Sequence, residues 1–322
     1  MQQVVVTTGA RLHFGLLSAD TTARRQYGGV GLMIDEPGFR VAISQSNSNL
    51  VVGPQSVSER VSSFLSQWNA TADTALPALK IEVTSHMPSH GGMGSGTQLA
   101  LAIGRGVVDL LGDDISTEQL AIRLGRGKRS AIGIHGFQHG GFIVDAGKSD
   151  GDRVGQMAAR YDWPQEWPIV LVTLDESAGL SGEAEAAAFR GLAPMDRGLV
   201  AQLSVIVEDR LMPAISNRQH AEFAEALGQY GDLVGDYFGP AQGGRYADQR
   251  MRQLVAELRQ NDVSGIVQSS WGPTVCIVCA DMAVAEGLVG FIQQTDFDGR
   301  ARIVKGLNRG AMVDHSDFLA IH

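Results

Sequence analysis

The sequence has 322 residues, of which 44% are hydrophobic and 19% charged, a composition typical of a globular protein large enough for two domains. A formal net charge of −9 argues against nucleic-acid binding, which requires clustered positive charge, and the N-terminus lacks the pattern of a signal peptide. We therefore expect a cytoplasmic protein with no membrane-spanning segment and no nucleic-acid partner.

The chain is predicted to open with strands and a helix. Val4–Thr8 and Arg11–Leu17 are rich in residues that favour strands, and Tyr27–Ile34 and Phe39–Ser44 continue that pattern. Apolar residues at helical spacing across Val57–Trp68 then predict the first helix. These elements lead into a glycine-rich region, in a chain that contains 40 glycines.

That region is Pro88–Gln98 (PSHGGMGSGTQ), a glycine-rich turn between a predicted strand, Leu79–Ser85, and a predicted helix, Thr97–Leu111. Glycines let backbone N–H groups turn toward one point, and the start of a helix adds the positive end of its dipole. The loop therefore predicts a binding site for a phosphorylated small molecule, formed by Gly92, Gly94, Ser95, Gly96, Thr97 and Gln98. A simple capping box of Ser95 and Gln98 is the structural alternative.

Downstream of the loop, the sequence predicts a short helix and two strands. Ser116 and Gln119 form a capping-box pattern for the helix, and Phe142–Asp145 and Ile169–Leu174 have the composition of strands. Residues 148–168, between the two strands, contain Gly, Asp and Trp-Pro turns, so this segment is the predicted seam between two halves of the protein.

The second half is predicted to mix helices with strands. A helix-rich stretch from Gly182 to about Tyr230 comes first. The predicted elements after it are a helix at Asp248–Gln260, a strand at Val275–Ala280, a helix at Met282–Gln293 and a strand at Arg302–Lys305. This order is typical of an α+β sandwich.

The two cysteines, Cys276 and Cys279, lie three residues apart inside a predicted strand. Side chains at that spacing point to opposite faces of a strand, which disfavours a local disulfide or a shared metal. We expect two structural thiols in a reducing compartment.

Five regions of the sequence resemble known motifs, and two of the motifs overlap at residues 94–98. The Pro88–Gln98 loop resembles the second motif of the GHMP kinase superfamily, and SSWGPT at 269–274 resembles its third motif. Within that superfamily, the β-ribofuranosylaminobenzene 5′-phosphate synthases are the more specific resemblance. It is carried by RLHFGLL at 11–17, QYGGVGLMI at 26–34, GSGTQLALA at 94–102 and GRGKRSAIGIHGFQHGGFIVD at 125–145.

The resemblance implies an α+β, GHMP-kinase-like two-domain fold. It assigns residues 1–160 to an N-terminal, ribosomal-protein-like α/β domain that carries the phosphate loop. It assigns residues 161–322 to a C-terminal, ferredoxin-like α+β domain. It also suggests a homodimer.

The resemblance implies a glycosyltransferase as well. Such an enzyme condenses 5-phosphoribosyl 1-diphosphate with 4-aminobenzoate or 4-hydroxybenzoate, with loss of diphosphate and carbon dioxide, in tetrahydromethanopterin biosynthesis. It is expected to use Mg²⁺ and no organic cofactor. The alternatives are an ATP-dependent small-molecule kinase of the same fold and a ligand-binding protein without catalytic activity. Ser95-Gly96-Thr97 and the bulky Trp271 depart from the kinase patterns and favour the synthase.

Arg24 and Arg25 are candidate catalytic residues. They precede Gly28 and Gly29, candidate substrate-binding residues where bare backbone lets a ligand approach closely. A guanidinium group binds phosphate or carboxylate in a bidentate manner. The structural alternative is a solvated loop.

Four cations occur within seven residues in the middle of the chain, at Arg123, Arg126, Lys128 and Arg129. Lys128 is the candidate catalytic cation and Arg129 the candidate phosphate-binding residue, since both lie beside glycines and ahead of an apolar strand. A solvated charged face is the alternative for the whole cluster.

Two histidines are candidate catalytic residues. His13 shares one face of the first strand with Arg11, a candidate substrate-binding residue, and is placed to hydrogen-bond a phosphate or the departing oxygen. His139 lies four residues after His135, but the density of glycines argues against a helix there and so against a metal pair. A half-exposed strand histidine is the alternative for His13.

The remaining candidates bind substrate or metal. Ser270, Trp271 and Gly272 belong to the third motif, where Trp271 either stacks on an aromatic ring or packs in the core. Asp145 ends a predicted strand and is the candidate ligand of Mg²⁺, with a simple turn residue as the alternative.

Overall fold

The computed structural model describes residues 2–19, 25–71, 75–89, 91–174 and 187–317. These residues form two β-sheets, one of seven strands and one of four, with helices packed against both. The α+β class predicted from the sequence is confirmed. Across the described ranges, every helix is too short or too polar to cross a membrane.

The strands and helices have the following bounds. The strands are β1 Gln2–Gly15, β2 Gly29–Gln45, β3 Leu50–Val52, β4 Leu79–Ser85, β5 Phe142–Asp145, β6 Met157–Tyr161, β7 Ile169–Thr173, β8 Ile266–Gln268, β9 Val275–Val278, β10 Arg300–Val304 and β11 Met312–Asp317. The helices are α1 Gln55–Thr71, α2 Ser95–Leu111, α3 Thr117–Arg123, α4 Ile132–His139, α5 Arg197–Val205, α6 Met212–Ser216, α7 His220–Gln242, α8 Gln249–Gln260 and α9 Met282–Gln294. A π-helical segment, Ile206–Leu211, joins α5 to α6.

The first sheet is built on the long β1–β2 hairpin. Its strand order is β11-β1-β2-β4-β3, and β5 pairs with both β2 and β6. The sequence predicted two strands in place of each of β1 and β2, and that prediction is wrong. A register shift at Gly9 lets the two strands bend together, and a Cβ there would lie only 2.0 Å from the carbonyl oxygen of Ile34.

The second sheet has the ferredoxin-like connection that the sequence analysis expected. Its strand order is β10-β7-β9-β8, and the chain follows a β-α-β-β-α-β path through it. The last strand, β11, leaves this half and pairs with β1 of the first sheet. The domain boundary at residue 160 stays a prediction, but residues 312–317 lie in the sheet of the first half.

Helix α4 forms where the sequence analysis argued against a helix. Its glycines are packing positions, because a Cβ on Gly136 would lie 2.5 Å from Sδ of Met33. The helix therefore packs closely on the first sheet, and close packing outweighs the low helix propensity of glycine. His135 and His139 share this helix, yet the described residues contain no group of three or more His, Cys, Asp or Glu side chains that could hold a metal.

An aromatic cluster joins the two halves of the protein. Phe142 of β5 packs against Phe223 of α7 with ring centroids 5.5 Å apart, and Trp163 packs against Phe223 at 5.4 Å. These residues belong to one continuous core that extends from the first sheet to α7. Because the core is shared, α7 is held at a fixed position opposite β1.

The cysteines lie in two different cores. Cys276 packs with the larger core and Cys279 with the smaller one beneath α8 and α9, so the prediction of opposite faces is confirmed. Both are free thiols. Burial raises the pKa of both, that of Cys279 to about 11, so neither is a reactive thiolate.

Candidate active site

A cavity of about 750 Å³ lies between the first sheet and α7. This volume is within the range of small-molecule sites, roughly 300–1,000 Å³. Its walls come from β1, from α1, from the loops at residues 92–97 and 125–130, from α7 and from residues 268–272. The cavity is therefore where the phosphate loop and the third motif of the sequence analysis meet.

The predicted phosphate loop forms the start of α2 at one side of the cavity. Gly92 and Gly94 have φ angles of 80° and 72°, in the left-handed region that glycine tolerates, and Gly94 is the N-cap of α2. Among the described residues no side chain caps this helix, so the alternative of a Ser95–Gln98 capping box is wrong. The N–H of Thr97 donates to the carbonyl oxygen of Gly94 at 3.0 Å, while the N–H groups of Ser95 and Gly96 and the positive end of the helix dipole are left for a ligand at the cavity.

Gln98 belongs to the predicted phosphate-binding set, but the structure places it in the core. It is fully buried, and its Nε2 donates to the carbonyl oxygen of Gly133 at 2.8 Å. Its Oε1 accepts from the hydroxyl of Thr8 at 2.6 Å. Because both ends of the amide are engaged, Gln98 joins α2 to β1 and α4 and does not line the cavity.

The third motif contacts both β1 and the phosphate loop. Ser269 Oγ donates to the carbonyl oxygen of Gly92 at 2.8 Å and accepts from the backbone N–H of His13 at 3.0 Å. The backbone N–H of Ser270 donates to the carbonyl oxygen of His13 at 2.7 Å. Ser270, Trp271 and Gly272 line the cavity, as the sequence analysis expected of substrate-binding residues. Ser269, which it did not single out, is the link that holds the motifs together.

Replacing Gly92 with alanine tests this link. A Cβ at Gly92 would lie 2.3 Å from the carbonyl oxygen of Ser269, so we expect the free energy of unfolding to fall by roughly 3 kcal/mol. Gly112→Ala is the matched control, because Gly112 has a φ of 73° but no described atom within 4 Å of its Cβ position. It carries only the left-handed penalty of about 1–2 kcal/mol. Equal losses in urea titrations of the two variants would contradict the contact.

Five cations line one side of the cavity. They are Arg11 of β1, Arg60 of α1 and three residues of the 125–130 loop, Arg126, Lys128 and Arg129. No aspartate or glutamate is among the described residues that line it. A strongly positive cavity in a chain with a net charge of −9 indicates an anionic ligand.

Two of these cations, Arg60 and Arg126, lie beside the start of α2. Arg60 donates to Ser89 Oγ at 2.9 Å and to Ser95 Oγ at 3.5 Å. A Cβ at Gly96 would lie 2.8 Å from Nη2 of Arg126, so this guanidinium group lies directly against the first turn of α2. Burial and the charge of Arg126 lower the pKa of Arg60. Two guanidinium groups that disfavour each other's charge are stabilised when an anion binds between them.

An aromatic surface borders the same cavity. Phe238 of α7 packs on Trp271 with ring centroids 4.8 Å apart, and Phe189 packs on Phe238 at 6.2 Å. The guanidinium group of Arg129 lies 5.0 Å from the centroid of the Phe189 ring. The cavity thus combines a cationic surface with an aromatic one, and Arg129 contacts both.

His13 is buried at the cavity, with 6% of its surface exposed. Its Nε2 has no hydrogen-bond partner among the described residues. Burial, and then the charges of Arg11 and Arg129, hold the pKa of His13 well below its usual value of 6.5. The ring is therefore a neutral imidazole at neutral pH.

Asp145 supports the cationic loop from behind. Its carboxylate accepts from the backbone N–H of Ala131 at 2.7 Å and of Gly147 at 2.9 Å, and it is fully buried outside the cavity. Burial raises its pKa, against the effect of these hydrogen bonds. The nearby Lys148 Nζ donates to the carbonyl oxygen of Lys128 at 2.7 Å. Asp145 therefore holds the chain in place from a position outside the cavity. The sequence analysis expected this residue to be a Mg²⁺ ligand.

The other predicted site residues lie outside the cavity, with the exception of one that the structure does not describe. Arg25 is on the surface and donates to the carbonyl oxygen of Ala146 at 3.4 Å. Gly28 and Gly29 pack against backbone, since their Cβ positions would lie 2.8 and 2.1 Å from the carbonyl oxygens of Asp145 and Gly15. His139 ends α4, away from the cavity. Arg24 falls outside the described residues.

Comparisons with known proteins agree with this architecture. Residues 58–142 match the model of the GHMP kinases N terminal domain, and residues 211–295 match that of the GHMP kinases C terminal domain. The beta-ribofuranosylphenol 5′-phosphate synthase of Methanothermobacter thermautotrophicus is 28% identical, over 97% of this chain and 98% of its own. The protein of that name from Archaeoglobus fulgidus is also 28% identical, over 95% and 98%. The phosphomevalonate kinase of Streptococcus pneumoniae has the same fold, with a TM-score of 0.69 at 12% identity, over 95% of this chain and 100% of the kinase.

Proposed function

The chain belongs to the GHMP kinase superfamily, and we propose that it acts as a β-ribofuranosylphenol 5′-phosphate synthase rather than as a kinase. In this reaction 5-phosphoribosyl 1-diphosphate condenses with 4-hydroxybenzoate, and diphosphate and carbon dioxide leave. The product is a C-riboside 5′-phosphate for tetrahydromethanopterin synthesis. The names of the two relatives support 4-hydroxybenzoate over 4-aminobenzoate as the acceptor, because they specify a phenol as the product.

The observation that carries the proposal is the pairing of two surfaces in one cavity. The cationic side, with Arg60, Arg126 and the open start of α2, suits the diphosphate of the sugar substrate. The aromatic side, with Phe238 and Trp271, suits the ring of the acceptor. A kinase of the same fold would use the first surface for the phosphates of ATP and the second for its adenine, so the two relatives and the direct assay below decide between the two activities.

The cavity residues fit the bond changes of this reaction. The bond between ribose C1 and the diphosphate oxygen breaks, its electron pair leaves with the diphosphate, and the cations stabilise the negative charge that develops. The ring carbon that carries the carboxylate bonds to C1 as the ring lies against Trp271. Loss of carbon dioxide then returns an electron pair to the ring and restores aromaticity. Because both surfaces line one cavity, the ring carbon and ribose C1 are held close together for the attack.

The described part of the cavity does not fit a Mg²⁺ ion held by protein side chains. Its charged side chains are all cations, and Mg²⁺ prefers carboxylate and other oxygen ligands. The proposed reaction therefore has no step at an ion held by these side chains. Mg²⁺ is proposed only as a counter-ion that enters with the diphosphate of the substrate.

A direct assay tests the proposed function. We expect the purified protein, given Mg²⁺, phosphoribosyl diphosphate and carboxyl-labelled 4-hydroxybenzoate, to release labelled carbon dioxide and diphosphate in equal amounts. The parallel arm supplies ATP with homoserine or phosphomevalonate and measures ADP. ADP formation without carbon dioxide release would refute the synthase and support the kinase. The family resemblance also supports a cytoplasmic protein that forms a homodimer. Light scattering of the same sample tests the dimer.

A further inference from the structure

His13 carries a feature that phosphate binding alone does not account for. Its Nε2 is buried at the cavity and has no hydrogen-bond partner among the described residues, although the side chain is only 6% exposed. A buried polar atom without a partner is energetically costly, so such an atom in a binding cavity points to a ligand that satisfies it. No described residue, the neighbouring cations included, hydrogen-bonds this Nε2, so its partner is a group of the bound substrate.

The backbone of His13 fixes this nitrogen relative to the aromatic surface. The N–H of His13 donates to Ser269 Oγ at 3.0 Å, and its carbonyl oxygen accepts from the N–H of Ser270 at 2.7 Å. Trp271 follows directly in the chain and lines the cavity. The backbone of His13 is therefore held beside the segment that carries Trp271, and His13 lines the same cavity as the surface proposed for the acceptor ring.

The spacing along β1 separates His13 from the phosphate loop. Arg11 and His13 both line the cavity, while Leu12 between them is in the core. Two residues along a strand correspond to about 6.6 Å. Arg11 lies against the loop, since a Cβ at Gly94 would be 3.1 Å from Arg11 Nε. A ring whose carboxylated carbon faces the diphosphate can thus extend its para substituent toward His13.

The surroundings of His13 keep its ring unprotonated before the substrate binds. Burial disfavours the imidazolium form and lowers the pKa of His13, and Arg11 on its own strand and Arg129 on the 125–130 loop add to that effect. The segment packed against it from the other side, residues 268–272, is Gln-Ser-Ser-Trp-Gly and contributes no charge. The same cations favour a phenolate-like oxygen at this position.

We propose that His13 Nε2 accepts the phenolic proton of 4-hydroxybenzoate as the ring attacks ribose C1, and returns it when carbon dioxide leaves. The inference rests on the proposed function. The O–H bond breaks as its electron pair moves into the ring, and the resulting dienone still carries the carboxylate. Decarboxylation then sends the electron pair of the breaking C–C bond through the ring to the oxygen, which takes the proton back from His13. No oxidant or other reactant is needed, and His13 ends as it began.

The test compares His13→Gln with wild type on acceptors of different acidity. Glutamine can hydrogen-bond but cannot take a proton, so we expect kcat with 4-hydroxybenzoate to fall by about 100-fold or more. With 3,5-difluoro-4-hydroxybenzoate at about pH 8 the phenol ionises without help, so the loss should shrink to about tenfold or less. An equal loss with both acceptors would overturn the proposal and place His13 at the diphosphate. No loss with either would remove it from the chemistry.

A pH profile and two controls complete the test. Below the pKa of His13 the ring already holds a proton, so the wild-type kcat should fall as the pH is lowered through that value, and His13→Gln should lack this limb. His220→Gln is the matched control, because the Nε2 of His220 lies 3.1 Å from the carbonyl oxygen of Val278, outside the cavity. Thermal shifts with phosphoribosyl diphosphate check that His13→Gln is folded and still binds. If wild type forms no product with either acceptor, the proposed function itself fails.

Discussion

Replacing Arg126 with alanine is expected to raise the KM for phosphoribosyl diphosphate by about 100-fold. A guanidinium group forms two charge-assisted hydrogen bonds with a phosphate, and their loss is worth roughly 3 kcal/mol. Each 1.4 kcal/mol corresponds to about a tenfold change in binding. Steady-state kinetics with the sugar substrate varied, and calorimetry with the same ligand, measure the effect.

The position of Arg126 is the reason for the size of this effect. Its Nη2 lies at the first turn of α2, where a Cβ on Gly96 would be only 2.8 Å away. Its charge also lowers the pKa of Arg60, which hydrogen-bonds Ser95 in the same turn. A diphosphate at this point neutralises both guanidinium groups, and the double variant with Arg60→Ala should therefore show a loss that is not the sum of the single losses.

Arg123→Ala is the control for Arg126→Ala. Arg123 comes from the same run of cations, but its guanidinium group lies 4.8 Å from the ring centroid of Trp68 and does not line the cavity. We expect its KM to stay within about twofold of wild type, since surface cation–π contacts contribute only about 0.5–1 kcal/mol to stability. A similar rise in KM for both variants would show that overall positive charge, and not the geometry at α2, sets the affinity.

The contrast between Arg123 and Arg126 illustrates what the sequence could not resolve. The cluster of cations can be seen in the sequence. The turn at Gly125 and Gly127, whose φ angles are 65° and 76°, determines which of these side chains point into the cavity. The sequence analysis chose Lys128 and Arg129, which do line the cavity, and left out Arg126, which also does.

The parts of the site that could be predicted are those that lie close together in the chain. The loop at 92–97 is a strand-to-helix turn whose glycines and helix start are local features, and the structure places it at the cavity. Arg60 and Phe189 are also at the cavity, but only tertiary packing brings them there. The sequence held one indication for Arg60, because it lies one helical turn before Phe64 on α1 and so shares a face of the helix with it. Both side chains line the cavity.

Gln98 and His139 are predicted site residues that the structure places outside the cavity. Each lies within a sequence motif that also contains residues of the cavity. The order of residues in a motif does not show which of its side chains point into the cavity. Gln98 is three residues into α2, on the face that packs on β1, and His139 is at the far end of α4. A helix places successive residues about 100° apart, so membership of a motif and access to its ligand are separate properties.

Replacing Asp145 with asparagine is the second change with a large expected effect, and the expected effect is a loss of stability. The carboxylate accepts one backbone N–H at each oxygen, from Ala131 and from Gly147, and it is fully buried. In Asp145→Asn, one of these N–H donors would meet an amide NH₂ group. We expect the free energy of unfolding to fall by about 2–3 kcal/mol, because hydrogen bonds to a charged group contribute about 1.5–3 kcal/mol each. Urea titration near pH 7 measures it.

The same variant separates the structural role of Asp145 from the Mg²⁺ ligand that the sequence analysis expected. If Asp145 holds the chain, Mg²⁺ should leave the thermal midpoints of wild type and variant unchanged, while KM for the sugar substrate rises as the 125–130 loop loosens. Asp152→Asn is the control, since Asp152 accepts from the N–H of Ser149 at 2.9 Å in a nearby turn and is only half-buried. A stable Asp145→Asn that loses a Mg²⁺-dependent step would instead assign the ion to this carboxylate. The structural role is favoured because both carboxylate oxygens of Asp145 already accept a buried backbone N–H, from Ala131 and from Gly147.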